Sequence, residues 1–209
     1  IAEPQIVWAG ALSSAVLISK DGGLSFESVG EYTETTMGGL SGLDTHPIDE
    51  ATAYATFSFS GKPKILRTTD YGESWEDITG YGTGSASTNG FPNVATYCVA
   101  VMPYNTDIIW AGTDIGLIES TDGGATWHLA ENGLPQVSVW ELRIVDDEVV
   151  AVTHGRGIWS VSLPELADHK PSMVTLAPSI LSAKQVSSSI VVSAALRSAY
   201  DSTHVFVNN

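Results

Sequence analysis

Three stretches of this chain follow one eight-residue pattern. They are Ser19-Lys20-Asp21-Gly22-Gly23-Leu24-Ser25-Phe26, Thr68-Thr69-Asp70-Tyr71-Gly72-Glu73-Ser74-Trp75 and Ser120-Thr121-Asp122-Gly123-Gly124-Ala125-Thr126-Trp127. The common form is Ser/Thr-x-Asp-x-Gly-x-Ser/Thr-aromatic. The motif aspartates Asp21, Asp70 and Asp122 follow one another at 49 and 52 residues. A period near 50 residues implies stacked supersecondary units. The carboxylate can accept hydrogen bonds from turn N–H groups, and Gly23, Gly72 and Gly124 permit positive φ. Hydroxyls such as Ser19, Thr68 and Ser120 can tie the two arms together. Phe26, Trp75 and Trp127 each start a strand with a large apolar anchor.

A second signal runs in phase. Pro4, Pro47 and Pro103 stand 17, 23 and 19 residues ahead of the three aspartates, each before a strand-like run. The third unit reads as four strands: 97–102, 108–113, 116–120 and 126–130. Lettered A to D, four antiparallel strands in about 50 residues make one β-propeller blade. No window sustains helical periodicity. The expected fold is all-β, built of four-stranded antiparallel blades.

The octapeptides resemble the Asp-box, or BNR repeat, of sialidase-type propellers. Relatives include oligoxyloglucan-processing cellobiohydrolases, the sortilin luminal domain and photosystem assembly factors. The resemblance covers residues 1–163. Phe26 replaces the usual Trp of the first box, and Thr68 replaces Ser in the second. The stretch from Val152 to Trp159 is similar to the closing strands of secreted bacterial propellers that carry a C-terminal immunoglobulin-like accessory domain. The resemblance therefore implies a secreted bacterial protein, extracellular or on the cell surface, with a glycan or protein as partner. The Asp-box marks a fold and not a chemistry.

Strand counting expects 14 strands in four units, the first lacking strand A and the fourth lacking strand D. Residues 1–163 are thus expected to supply about 3.5 blades, the C-terminal part of a larger ring completed by the remaining blades of a parent chain. Residues 164–171 read as a polar linker. Residues 172–209 read as an incomplete β-sandwich, with strands at 174–180, 189–197 and 203–207. Its segment 196–201 resembles an immunoglobulin- or fibronectin-like module, which takes about seven strands.

Charge excludes several classes. Lys plus Arg total 9 against 24 Asp plus Glu, a net charge of −15. That argues against a nucleic-acid backbone binder, which needs a basic face. No apolar run approaches the ~20 residues of a helical membrane span. The single Cys98 excludes an intrachain disulfide and a cysteine metal cluster, and reads as a small core residue. No metal site or cofactor is expected beyond adventitious calcium on the acidic A–B turns, among them Asp44, Asp49 and Asp107.

Alternating strand direction puts A–B and C–D turns on one face and B–C and D–A loops on the other. The boxes are C–D turns, so their aspartates read as structural. The opposite face carries the candidate ligand residues Asp114, His154 and Arg156. A guanidinium, an imidazole and a carboxylate suit a sugar or an acidic ligand. The plainer readings are that Asp114 holds its own turn and that Arg156 pairs within the last blade. The long 80–92 segment reads as a surface loop that could cover a groove. Sialidase chemistry would need three clustered arginines, and Arg67, Arg143, Arg156 and Arg197 form no evident triad. Another glycosidase would need two carboxylates ~5 to ~9.5 Å apart. Catalytic residues therefore stay unassigned. Two function classes remain: a binding or scaffold propeller, which is favoured, and part of a glycoside hydrolase whose site other blades complete.

Overall fold

The computed structural model describes residues 5–11, 15–35, 37–131, 133–134 and 136–169, together with two strands at 179–186 and 189–195. The described chain is all-β apart from one 3-10 turn. Four antiparallel sheets follow one another. The first holds β1 (Val7–Gly10), β2 (Val16–Ser19) and β3 (Glu27–Ser28). The second holds β4 (Leu40–Thr45), β5 (Ala53–Phe57), β6 (Ile65–Thr68) and β7 (Glu76–Asp77). The third holds β8 (Thr96–Val101), β9 (Ile109–Thr113), β10 (Gly116–Ser120) and β11 (His128–Leu129). The fourth holds β12 (Val139–Val145), β13 (Glu148–Thr153) and β14 (Gly157–Ser162). Each sheet keeps chain order, as propeller blades do.

Burial explains the strand composition. β5 and β9 are buried along their whole length, because a neighbouring blade covers each face. Their sequences, Ala-Tyr-Ala-Thr-Phe and Ile-Trp-Ala-Gly-Thr, are accordingly apolar without alternation. Strands β4, β8 and β12 pack side by side as the inner strands of adjacent blades. The outermost strands β3, β7 and β11 are two residues long.

The three boxes share one hydrogen-bond pattern. In the second, the Thr68 hydroxyl donates to Asp70 at 2.7 Å and accepts the Gly72 N–H at 2.9 Å. Asp70 also accepts from the Ser74 N–H at 2.9 Å and the Ser74 hydroxyl at 2.5 Å. Ser19, Asp21, Gly23 and Ser25 repeat these bonds, as do Ser120, Asp122, Gly124 and Thr126. Position five is left-handed, at φ 92, 85 and 94° for Gly23, Gly72 and Gly124. Position four is left-handed too, and there the second box carries Tyr71 at φ 60°.

Box aromatics pack on the preceding blade. Trp127 is buried and donates its indole N–H to the Ile78 carbonyl at 2.8 Å. Trp75 meets Trp8 edge to face with ring centroids 6.2 Å apart. Phe26 departs from the expectation of an anchor packed within or between blades. It is 45% exposed, because no preceding sheet lies against it among the described residues.

The 80–92 segment is more than a surface loop. Tyr81 and Phe91 are buried, and Phe91 packs edge to face on Trp127 at 5.0 Å. Asn89 fastens it, donating to the Ile78 and Gly124 carbonyls at 3.0 and 3.1 Å. Asp44, expected on an acidic A–B turn, faces the next blade instead of solvent. It accepts the Val99 N–H of the next blade at 2.9 Å, and burial pushes its carboxyl up to about 6.

Residues 164–171, expected as a linker, begin with a 3-10 turn over Pro164–His169 whose Leu166 is buried. Residues Pro171–Asn209 separate as a second compact unit. Within it β15 (Ser179–Val186) and β16 (Ser189–Ala195) form an antiparallel hairpin. The expected strand at 203–207 and the immunoglobulin-like stretch at 196–201 lie outside the described residues.

Candidate functional site

A register shift recurs at one place in the inner strands. It falls between Leu40 and Gly42 in β4, between Thr96 and Cys98 in β8, and between Val139 and Glu141 in β12. Each leaves one extra residue: Ser41, Tyr97 and Trp140. A bulge re-aims a side chain that regular pleating would commit to the strand's own face. All three sit where the inner strand enters from the D–A loop, the face expected to carry ligand.

Two of these residues meet the sequence candidates. Tyr97 donates its phenol to Asp114 Oδ1 at 2.7 Å. Ser138 donates to the same oxygen at 3.2 Å and accepts the Trp140 indole N–H at 2.9 Å. The His154 ring stacks on Trp140 with centroids 4.7 Å apart and planes 9° from parallel. Tyr97 lies on Trp140 at 6.3 Å, tilted by 57°. Burial, and then the bond to Asp114, push the Tyr97 phenol above its usual range.

The result is an aromatic surface, Tyr97–Trp140–His154, with a carboxylate at its edge. Trp140 is 52% exposed although it begins a core strand. Asp114 and His154, from two B–C loops, are thereby joined through Ser138 and Trp140. Arg156 lies exposed in the same loop as His154, and its carbonyl accepts the Trp159 indole N–H at 2.9 Å. No hydrogen bond or ion pair joins its guanidinium to Asp114 among the described residues. Tyr97, Ser138 and Trp140 escape sequence reading, because a bulge leaves no mark in a strand pattern. An aromatic second in two inner strands, at Tyr97 and Trp140, is the one signal available.

Asp21, Asp70 and Asp122 are occupied in their turns and take no part in this surface. Their hydroxyl and N–H donors hold all three carboxyls below the usual range, Asp21 at about 2. Cys98 is buried, and burial with the nearby Asp44 pushes its thiol up to about 12, so it is inert. No group of three or more His, Cys, Asp or Glu side chains suited to a metal occurs among the described residues.

Blades of this topology, with Asp-box turns between their two outer strands, define a BNR-type β-propeller. The BNR/Asp-box repeat model matches residues 118–129, the third box and its flanking strands. Comparison with curated proteins found no match. Among solved structures, the chain is similar to a GH74 xyloglucanase from Xanthomonas campestris at 18% identity and TM-score 0.57, over 77% of this chain and 28% of that one. A GH74 enzyme from Niastella koreensis matches at 17% identity and TM-score 0.56, over 75% and 26%. YCF48 bound to D1 peptide matches at 16% identity and TM-score 0.54, over 77% and 49%. The chain thus spans between about a quarter and a half of these proteins, and the likeness is one of fold.

Proposed function

We propose that this propeller is a binding module for carbohydrate, with the ligand seated on Trp140 and Tyr97. The observation that carries the reading is the half-exposed Trp140, held in place by Ser138 at its indole N–H and by His154 stacked on one face. A pinned aromatic plane offers an apolar seat for the C–H face of a sugar ring at little cost in side-chain entropy. Asp114 Oδ1 is taken by Tyr97 and Ser138, which leaves Oδ2 to accept a sugar hydroxyl. Arg156 and His154 add donors at the rim. An extracellular or cell-surface setting, where structural polysaccharide is met, suits this reading.

The test is a glycan array followed by calorimetry on the 209-residue chain and its Trp140→Ala variant. Binding that falls at least tenfold in the variant, with the fold retained, supports the reading. Binding unchanged by Trp140→Ala, or no glycan bound at all, removes it. Hydrolysis that disappears in Asp114→Asn would instead assign Asp114 to a glycoside hydrolase site.

A further inference from the structure

The seams between the first three blades are built from equivalent residues, yet one is filled and the other is hollow. Counting from the boxes, Val16, Val29, Tyr32, Leu66 and Trp75 correspond to Ile65, Ile78, Tyr81, Ile118 and Trp127, and strand register matches Trp8 with Tyr54. The second set closes on Phe91, which is buried against Trp127 at 5.0 Å. Among the described residues the first set has no buried aromatic in the place of Phe91. The reason is length: 18 residues join β7 to β8, whereas 11 join β3 to β4. The shorter connection places only Met37, partly buried, against its seam and brings no aromatic plug.

What remains is a cavity of about 540 Å³, within the roughly 300–1,000 Å³ of ligand pockets. Among the described residues Val16, Val29, Phe57, Leu66 and Trp75 line it, with Ala15, Glu31 and Tyr32 toward its mouth. A second hollow adjoins it through the shared Tyr32 and Trp75 and is lined by Glu34, Glu76 and Asp77. Arg67 compensates Glu76 at 2.7 Å, and the neighbouring Lys62 is held by Thr35 at 2.5 Å. Glu31 and Glu34 remain exposed, on a chain of net charge −15. Lys62 keeps its charge at the rim, but Glu31 and Glu34 outnumber it, and an apolar seat with a net negative rim complements a basic segment that carries an aromatic residue.

We propose that this hollow receives an aromatic side chain from a basic segment of a partner protein, seated on Trp75 as Phe91 is seated on Trp127. The site is separate from the Trp140 surface and does not depend on its reading.

The probe is a fluorescein-labelled peptide Lys-Lys-Phe-Lys-Lys, with an Ala-centred peptide as control, read by anisotropy at low and high salt. Saturable binding of the Phe peptide is expected, at least tenfold weaker for the control. Ala15→Phe plugs the hollow from its exposed edge and should abolish binding. Glu31→Lys, a surface change that leaves the core alone, should weaken both peptides and flatten the salt dependence while keeping their ratio. Trp140→Ala should change nothing. Equal binding of the two peptides, no binding, or full binding by a folded Ala15→Phe chain overturns the proposal. Concentration-dependent dimerisation that Ala15→Phe abolishes would give the hollow to a second copy and overturn it as well. Should Ala15→Phe not fold, the peptide pair with Glu31→Lys decides.

Discussion

Trp140 and His154 lie face to face, 4.7 Å apart and 9° from parallel, although one begins an inner strand and the other sits in the loop between β13 and β14. The bulge in β12 makes this possible. In unbroken register Trp140 would be committed to the strand's regular pleat. Ser138 completes the arrangement by accepting the indole N–H.

The first prediction follows from that arrangement. Trp140→Ala should cost at least tenfold in glycan affinity, about 1.4 kcal/mol or more. Ser138→Ala should cost a smaller factor, because it unpins the indole and frees Asp114 without removing either. The melting temperature of both variants should stay within a few degrees of the parent, since Trp140 is half exposed. A Ser138→Ala loss larger than that of Trp140→Ala would break the proposed order of roles.

The boxes should behave in the opposite way. Asp70→Ala removes the acceptor of the Ser74 N–H, the Ser74 hydroxyl and the Thr68 hydroxyl. The expected cost is on the order of 1–2 kcal/mol in a denaturant titration. Glycan affinity measured well below the transition should be unchanged. Lost affinity at unchanged stability would show that the box carries function.

Acid stability has two limbs. The box aspartates are lowered in the fold, so their contribution is present above an unfolded value of 3.8 and is lost as pH falls through their lowered values, about 2 for Asp21. Asp44 is raised to about 6 by burial, so its ionisation costs the fold as pH rises from about 4 through about 6. His46, lowered by burial, acts against Asp44 over part of that range. Comparison with Asp44→Asn isolates the carboxylate. An amide oxygen can still accept the Val99 N–H, and the variant should be more stable than the parent above pH 6 by on the order of 1–3 kcal/mol. The difference should vanish near pH 4. A constant difference between pH 4 and 7 would rule out Asp44 titration.

The repeat made the architecture legible, because every blade restates the same turn chemistry at Ser19, Thr68 and Ser120. The range 139–145 for the last inner strand follows directly from its apolar pattern. Half of the candidate site was legible as well, since B–C loops must share a face and Asp114 and His154 stand in them. What stayed hidden was set by geometry without a local signature. A bulge at Tyr97 or Trp140 depends on pairing with another strand. The burial of Phe91 depends on a seam that forms only when two blades meet. Gly/Ser/Thr-rich composition around it reads as surface, yet Ser87 and Asn89 spend their polar groups internally, the Ser87 hydroxyl donating to Asn89 at 2.9 Å.

Phe91 provides the last prediction. It is 2% exposed and meets residues of two blades, so truncation opens the seam that it closes. Large-to-small core changes of this kind cost about 3–5 kcal/mol, the transfer term plus the cavity left behind. Phe91→Ala should lose that much in a denaturant titration with an unchanged slope. Asn89 and Trp127 still tie the segment to the Gly124 and Ile78 carbonyls, so collapse into the void should be partial. The variant should then resemble the first seam, with an open aromatic seat on Trp127. It should gain a second site for the Lys-Lys-Phe-Lys-Lys peptide, raising the stoichiometry from one to two, and Ala15→Phe in the same chain should return it to one. A loss below 1 kcal/mol would mean that the seam does not depend on its plug, and the contrast between the two seams would lose its meaning.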